Sequence, residues 1–114
     1  MARKIIIDSD LGQDDAVALL LALASPEALD VQAITVVAGN VPLPQATRNA
    51  RAVCELAGRR DIAIHPGCAA PMTRALVTAE HVHGKTGLDG ADLPEPRLAA
   101  SDIHAVDAII DILR

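Results

Sequence analysis

The stretch Lys4-Ile5-Ile6-Ile7-Asp8-Ser9-Asp10-Leu11-Gly12-Gln13-Asp14-Asp15-Ala16 decides how this chain is read. Ile5 to Ile7 is a short β-branched run bounded by turn-forming residues, which reads as a buried strand, whereas Ala16 to Ala24 has the length and composition of a helix. Four carboxylates, Asp8, Asp10, Asp14 and Asp15, therefore fall within eight residues at the point where a strand hands over to a helix. In an open α/β sheet that point is the carboxyl end of a strand, where ligands usually bind.

Asp8 and Asp10 are two apart on extended chain, so their side chains leave from one face. Gly12 permits a sharp or positive-φ turn, and Asp14 and Asp15 then fall in the first turn of the helix. Two carboxylates about 4 Å apart at an effective dielectric near 20 repel by roughly 4 kcal/mol, so such a cluster takes up protons or holds a cation. Oxygen-only ligands favour Ca²⁺ or Mg²⁺ over zinc. Acidic residues in a first helical turn also complement the helix dipole, by about 0.3–1 kcal/mol each. That simpler role suffices for Asp14 or Asp15 alone, but not for Asp8 and Asp10, which precede the helix.

Working outward, Ala16 to Ala24 is apolar nearly all round, as expected of a helix buried on most sides, and Ser25-Pro26 interrupts it. Val31 to Val37 is rich in Val, Ile and Thr and reads as a second buried strand, completing a βαβ unit whose crossover should be right-handed. Ala38-Gly39-Asn40 closes that strand beside the acidic turn, so Asn40 would point into the same crevice. An Asn after Gly is most often a turn residue with local hydrogen bonds, and spacing alone favours that role. Pro42 and Pro44 lead into a helix from about Gln45 to Ala57, with Ala46, Ala50, Val53, Cys54 and Ala57 on one face and Gly58 as a left-handed cap. Ile62-Ala63-Ile64 reads as a third strand, with His65-Pro66-Gly67 as its exit.

From Cys68 to Ala100 no periodicity stands out, which in a compact domain marks a functional loop or a disordered one. Gly84-Lys85-Thr86 imitates the end of a phosphate-binding P-loop, but Ala79 stands where the first glycine belongs and no strand precedes it, so the match is rejected. His81 and His83 are an i, i+2 pair without a third partner, for which solvated loop histidines are the default. Ser101 reads as the N-cap of a last helix with Ile103, Val106, Ile109, Ile110 and Leu113 as its apolar stripe. No strand follows for it to cover, which suggests a piece of something larger. The expected architecture is α/β, an open, mainly parallel, doubly wound (Rossmann-like) sheet in one domain, 1–114. It comprises a βαβαβ unit over about 1–65, a loop over about 66–100 and a helix over about 102–113.

Composition narrows the function classes. At 51% hydrophobic and 22% charged the 114 residues are globular, and with no Phe, Tyr or Trp the core is aliphatic and no base can stack on an aromatic ring. A net charge of −5 and a pI near 5.1 argue against nucleic acid as partner. Cys54 and Cys68 are too few for a disulfide framework, and Cys54 reads as a small core residue, which fits a reduced, cytoplasmic location. The apolar run after Met1-Ala2-Arg3-Lys4 is broken at Asp8, too early for a signal peptide, and no stretch is long enough to enter a membrane as a span.

These residues carry a resemblance. Lys4 to Ala16 resembles the N-terminal Asp-Thr-Asp-Pro-Gly-x-Asp-Asp-Ala motif of the inosine-uridine preferring nucleoside hydrolases. Val36 to Asn40 resembles their Val-x-Gly-Asn segment, and His83 to Gly90 the His-Gly-x-x-Gly-Leu-Asp-Gly segment of pyrimidine-preferring bacterial members. All three occur in family order, and the similarity runs through essentially the whole chain. The resemblance implies hydrolysis of the N-glycosidic bond of ribonucleosides to ribose and free base, with one Ca²⁺ at the bottom of the pocket. By position, Asp10 would be a calcium ligand and the general base, Asp15 a second, bidentate ligand, Asp14 and Asn40 the holders of ribose hydroxyls, and Asp8 a support behind them. His83 would face the base, within an active-site loop spanning about 66–100. It also implies a homo-oligomer, dimer or tetramer, for the full-length form.

That chemistry suits these residue types. Departure of the base leaves an oxocarbenium-like sugar, which an anionic site stabilises, and a hard cation lowers the pKa of its bound water so that a carboxylate can take the proton. Ser9 and Leu11 depart from the family's Thr and Pro, at positions expected to tolerate change. The family's chains are longer, and their C-terminal part supplies further metal and ribose contacts that have no counterpart here. The chain alone is therefore expected to bind Ca²⁺ weakly and turn over little. Ile7-Asp8-Ser9-Asp10 also resembles the Asp-x-Asp signature of Mg²⁺-dependent haloacid-dehalogenase-type phosphohydrolases, but Gly12 stands where that family has Thr or Val, and Asp14-Asp15 go unexplained. A receiver-like signalling domain would need a phosphoacceptor Asp at the end of the third strand, where this chain has Ile64-His65. A truncated hydrolase acting as an interaction module stays open.

Overall fold

In the computed structural model, which describes residues 1–79, 81, 84–88 and 93–114, three parallel strands form one sheet in the order β1-β2-β3. They are β1 (Arg3–Ser9), β2 (Leu29–Val36) and β3 (Ile64–Pro66), and the helices are α1 (Gln13–Leu23), α2 (Leu43–Leu56) and α3 (Ala105–Leu113). No helix among the described residues is long and apolar enough to cross a membrane.

The two faces of the sheet follow from the two-residue period of a strand. Ile34, Val36 and Ile64 enter one aliphatic core with Leu19 and Leu23 of α1 and Ala46, Ala50 and Val53 of α2. Ala33, Thr35 and His65 alternate with them and are also buried; His65 Nδ1 lies 3.0 Å from the Ile103 carbonyl at the approach to α3, which packs on β2 and β3. A parallel sheet must be covered on both sides. In the register of β1 and β2, Ile5 pairs with Val31 and Ile6 with Ala33, so Gln32 is an extra residue. This bulge lets Val31 and Ile34 point into the same core although they are three apart.

Several boundaries and faces differ from the sequence expectation, each for a local reason. The third strand begins at Ile64 and runs through the expected exit to Pro66, because pairing with Ile34, Thr35 and Val36 of β2 sets its extent. The last helix begins at Ala105 and its N-cap is His104, whose Nδ1 accepts from the Val106 amide at 3.1 Å; Ser101 instead accepts from the Ile103 amide. Its buried residues are Ala105 and Ala108, while Ile103, Val106, Ile110 and Leu113 of the expected apolar stripe are 50%, 50%, 47% and 74% exposed. Small residues bring α3 close to the sheet: a Cβ on Gly67 would lie 3.0 Å from that of Ala105. The first helix is not buried on most sides either, since Val17 and Leu21 are 68% and 69% exposed.

Helix α2 ends as read. Gly58, at φ +72°, follows the C-cap, and the Gly58 and Arg59 amides donate to the carbonyls of Glu55 and Cys54, closing a Schellman turn. Side chains of the same helix hold the chain that returns toward α3. Arg51 donates to the Leu98 and Pro96 carbonyls, Glu55 accepts from the Arg97 and Leu98 amides, and Arg48 pairs with Glu95.

Candidate active site

The carboxyl ends of β1 and β2 lie side by side, with the Val37 amide donating to the Ser9 carbonyl just beyond the last ladder pair. From there the two segments are joined through Asp10. Its Oδ2 accepts from the Asn40 backbone amide and its Oδ1 from Asn40 Nδ2, both at 3.0 Å. Asn40 is thus a partner of Asp10 across the sheet rather than a turn residue bonded to its own neighbourhood. Gly39 makes this approach possible, since a Cβ there would come within 2.2 Å of Asp10 Oδ2.

Asp15 sits at the third position of α1, where its Oδ2 accepts from the Gly12 amide at 3.1 Å and caps the helix. It also faces Asp10. Partial burial, and after it the neighbouring Asp10, raise the Asp15 carboxyl above the usual carboxylate range, against the lowering effect of the Gly12 amide and the Ser9 hydroxyl. The groups that favour its charge are neutral, so the charge of the Asp10–Asp15 pair is offset only in part.

Asp8 is exposed at the end of β1 and its Oδ1 accepts from the buried Thr35 hydroxyl at 2.6 Å, within the register pair Asp8–Thr35. Asp14 is exposed in the first turn of α1. The four carboxylates therefore do not converge, and among the described residues no group of three or more Asp, Glu, His or Cys side chains gathers as a metal site. His83 lies outside the described residues, and His81 is exposed.

The turn itself is built differently from the expectation that Gly12 supplies positive φ. Gly12 is extended, at φ −84°, and the left-handed residue is Leu11, at φ +43°. A non-glycine residue there costs about 1–2 kcal/mol. The Leu11 side chain is fully buried in the core, a gain of roughly 1.5–3 kcal/mol that offsets the strain. Ser9 Oγ accepts from the Leu11 amide at 2.9 Å and tightens the bend. Thr35, Gly39 and Ser9 escaped the sequence reading as parts of the site; Gly39 alone had a visible signal, a glycine beside an Asn at a strand end.

The chain matches a known group of proteins: the family described as inosine-uridine preferring nucleoside hydrolase matches residues 5–114. The chain belongs to this family. It is 54% identical over 97% of its length to an uncharacterized protein of Schizosaccharomyces pombe, of which it covers 36%. It is 49% identical over 99% of its length to the pyrimidine-specific ribonucleoside hydrolase RihA of Photobacterium profundum, of which it also covers 36%. Among solved structures it superposes with a TM-score of 0.87 on the purine-preferring ribonucleoside hydrolase from Gardnerella vaginalis, at 34% identity, covering 96% of this chain and 35% of that one. The chain thus spans about a third of the length of these relatives, and its α/β architecture is that of the N-terminal part of the nucleoside hydrolase fold.

Proposed function

We propose that this chain carries the metal-binding and water-activating part of a ribonucleoside hydrolase, which cleaves the N-glycosidic bond to give ribose and free base. The observation that supports this most directly is the Asp10–Asn40 bridge beside Asp15, at the carboxyl ends of two adjacent parallel strands. The donors are all oxygen and the pair's charge is only partly offset, which suits a hard divalent cation such as Ca²⁺. Asp10 and Asp15 would hold the ion, which when bound makes a water molecule easier to deprotonate. The Asn40 bonds fix the Asp10 carboxylate in one orientation, from which it can take that proton. Asp8, held by Thr35, supports the strand end. Asp14, Asn40 and His83 are proposed to bind substrate, Asp14 and Asn40 at the ribose hydroxyls and His83 at the base.

Ca²⁺ takes 6–8 oxygen ligands, more than two carboxylates provide. The remaining oxygens are proposed to come from a segment like the one that completes the longer relatives. The exposed apolar residues Val17 and Leu21 of α1, on one side of the sheet, and Ile110 and Leu113 of α3, on the other, support two surfaces made to be covered. The relatives include pyrimidine-specific and purine-preferring enzymes, so ribonucleosides as a class are the proposed substrate. A homo-oligomeric, cytoplasmic full-length form is proposed with it.

The test is ribose release from uridine and inosine by two proteins: the 114-residue chain, and the same chain joined to the segment that follows the matched region in the Photobacterium enzyme. The joined protein should be active and lose at least about 10³-fold on Asp10→Asn, the scale of removing a proton acceptor from such a site. The chain alone should be nearly inactive. Activity in the joined protein that is indifferent to Asp10→Asn would contradict the assignment.

A further inference from the structure

Asn49 lies in the middle of α2, is only 4% exposed, and reaches two carbonyl oxygens from different segments. Its Nδ2 donates to the Thr86 carbonyl at 2.6 Å and, more loosely, to the Leu11 carbonyl at 3.4 Å. Gln45, one turn earlier, donates Nε2 to Asn49 Oδ1 at 2.9 Å. The two carbonyls fix which end of the Asn49 amide faces inward, because only the NH₂ end can donate to them, and this leaves Oδ1 to accept from Gln45. Gly87, at φ +81°, completes the contact: a Cβ there would lie 3.1 Å from the Leu11 carbonyl oxygen and 3.2 Å from Asn49 Nδ2.

On packing grounds alone, an apolar residue would serve better at a buried helical position between two aliphatic elements, since an amide is costly to bury unless it is bonded. Asn supplies what Leu or Val cannot, a donor between carbonyl oxygens that have none to offer each other. One of those oxygens belongs to Leu11, the left-handed residue between Asp10 and Gly12. The direction of the Leu11 carbonyl and the directions in which Asp10 and Asp15 leave the turn are set by the same few torsions.

We propose that Asn49 is a positioning residue for the acidic site: by holding the Leu11 carbonyl against the 84–88 segment, it fixes the turn that presents Asp10 to Asn40 and Asp15 to Gly12. The inference rests on the reading of Asp10 and Asp15 as the calcium-binding pair. It has a geometric consequence that is independent of calcium. The Asn40 amide, bonded to Asp10 Oδ2, and the Gly12 amide, bonded to Asp15 Oδ2, both report the turn, and neither is bonded to Asn49.

The experiment compares wild type with Asn49→Leu, which keeps the bulk and loses the donor, and with Gly87→Ala, which pushes the 84–88 segment away from Leu11 should the first variant fold poorly. Amide hydrogen exchange is read at Gly12, Asn40, Leu88 and Ile34, and Ca²⁺ is titrated calorimetrically. Exchange at Gly12 and Asn40 should rise at least about tenfold while Ile34 in β2 is unchanged, and Ca²⁺ affinity should fall about 10–100-fold, as for other residues that orient metal ligands. Faster exchange confined to Leu88, whose amide is bonded to Thr86 Oγ1, would show that Asn49 only anchors a loop and would overturn the proposal. Wild type that takes up no Ca²⁺, with exchange at Gly12 and Asn40 still responding, would sink the calcium reading and leave the positioning role standing.

Discussion

Gly39 and Asp10 are so closely opposed that a methyl group on Gly39 would overlap the Asp10 carboxylate, at 2.2 Å from Oδ2 and 2.8 Å from Cβ. The carboxylate occupies the space that a side chain would fill, and this is how it reaches the Asn40 amide. Gly39→Ala must displace Asp10 or the loop, a strain of about 1–3 kcal/mol. Urea unfolding should show that loss, and calorimetry should show a fall in Ca²⁺ affinity larger than the loss of stability explains.

Asp15 should make the chain's stability depend on pH in an unusual direction. Its folded-state pKa is raised, by burial first and by Asp10 after it, so its contribution is fully present below the unfolded value and is lost as pH rises through the folded one. In chelator, Asp15→Asn should therefore be at least as stable as wild type at pH 7, because the uncharged amide avoids that loss. The difference should vanish in acid, below the unfolded pKa. Denaturation curves at the two pH values check this, and a variant markedly less stable at pH 7 would contradict it.

The Thr35 hydroxyl bonds the Asp8 carboxylate at 2.6 Å from a fully buried position. Thr35→Val keeps the shape and removes the donor. The expected loss is about 0.5–1.5 kcal/mol, the range of an ordinary hydrogen bond, because Asp8 is exposed and water can take the place of the hydroxyl; urea unfolding measures it.

The two thiols should differ sharply toward an alkylating reagent. Cys68 is exposed, while Cys54 is fully buried and its thiol is pushed up to about 11 by that burial. One thiol should react within minutes in native protein, and the second only on unfolding. Rapid labelling of both would show that the α2 core opens readily.

Much of this was legible in the sequence because local and long-range signals agreed. The Ile5–Ile7 run, the Pro44 entry and the Gly58 cap each have a mechanism that acts within a few residues, and the structure has β1, α2 and its Schellman turn there. The parallel order of the sheet followed from the alternation of strand and helix. What escaped were choices made by tertiary contact. Leu11 takes the left-handed conformation in place of Gly12 because its side chain is needed in the core, and α3 turns its alanines rather than its isoleucines to the sheet because close approach beats bulk. Asn40 read as a turn residue because its partner lies 30 positions away. Asn49 offered no signal, being one polar residue in an otherwise ordinary helical stripe.

The most direct test of the central claim is a calorimetric titration of Ca²⁺ into the chelator-stripped chain, its Asp10→Asn variant and its Asp15→Asn variant. Wild type should bind one ion, weakly, with a dissociation constant on the order of 10⁻⁴ to 10⁻³ M, as expected of a coordination sphere only partly supplied. Both variants should bind none. Wild type that takes up no calcium, or binding that survives both substitutions, would contradict the account.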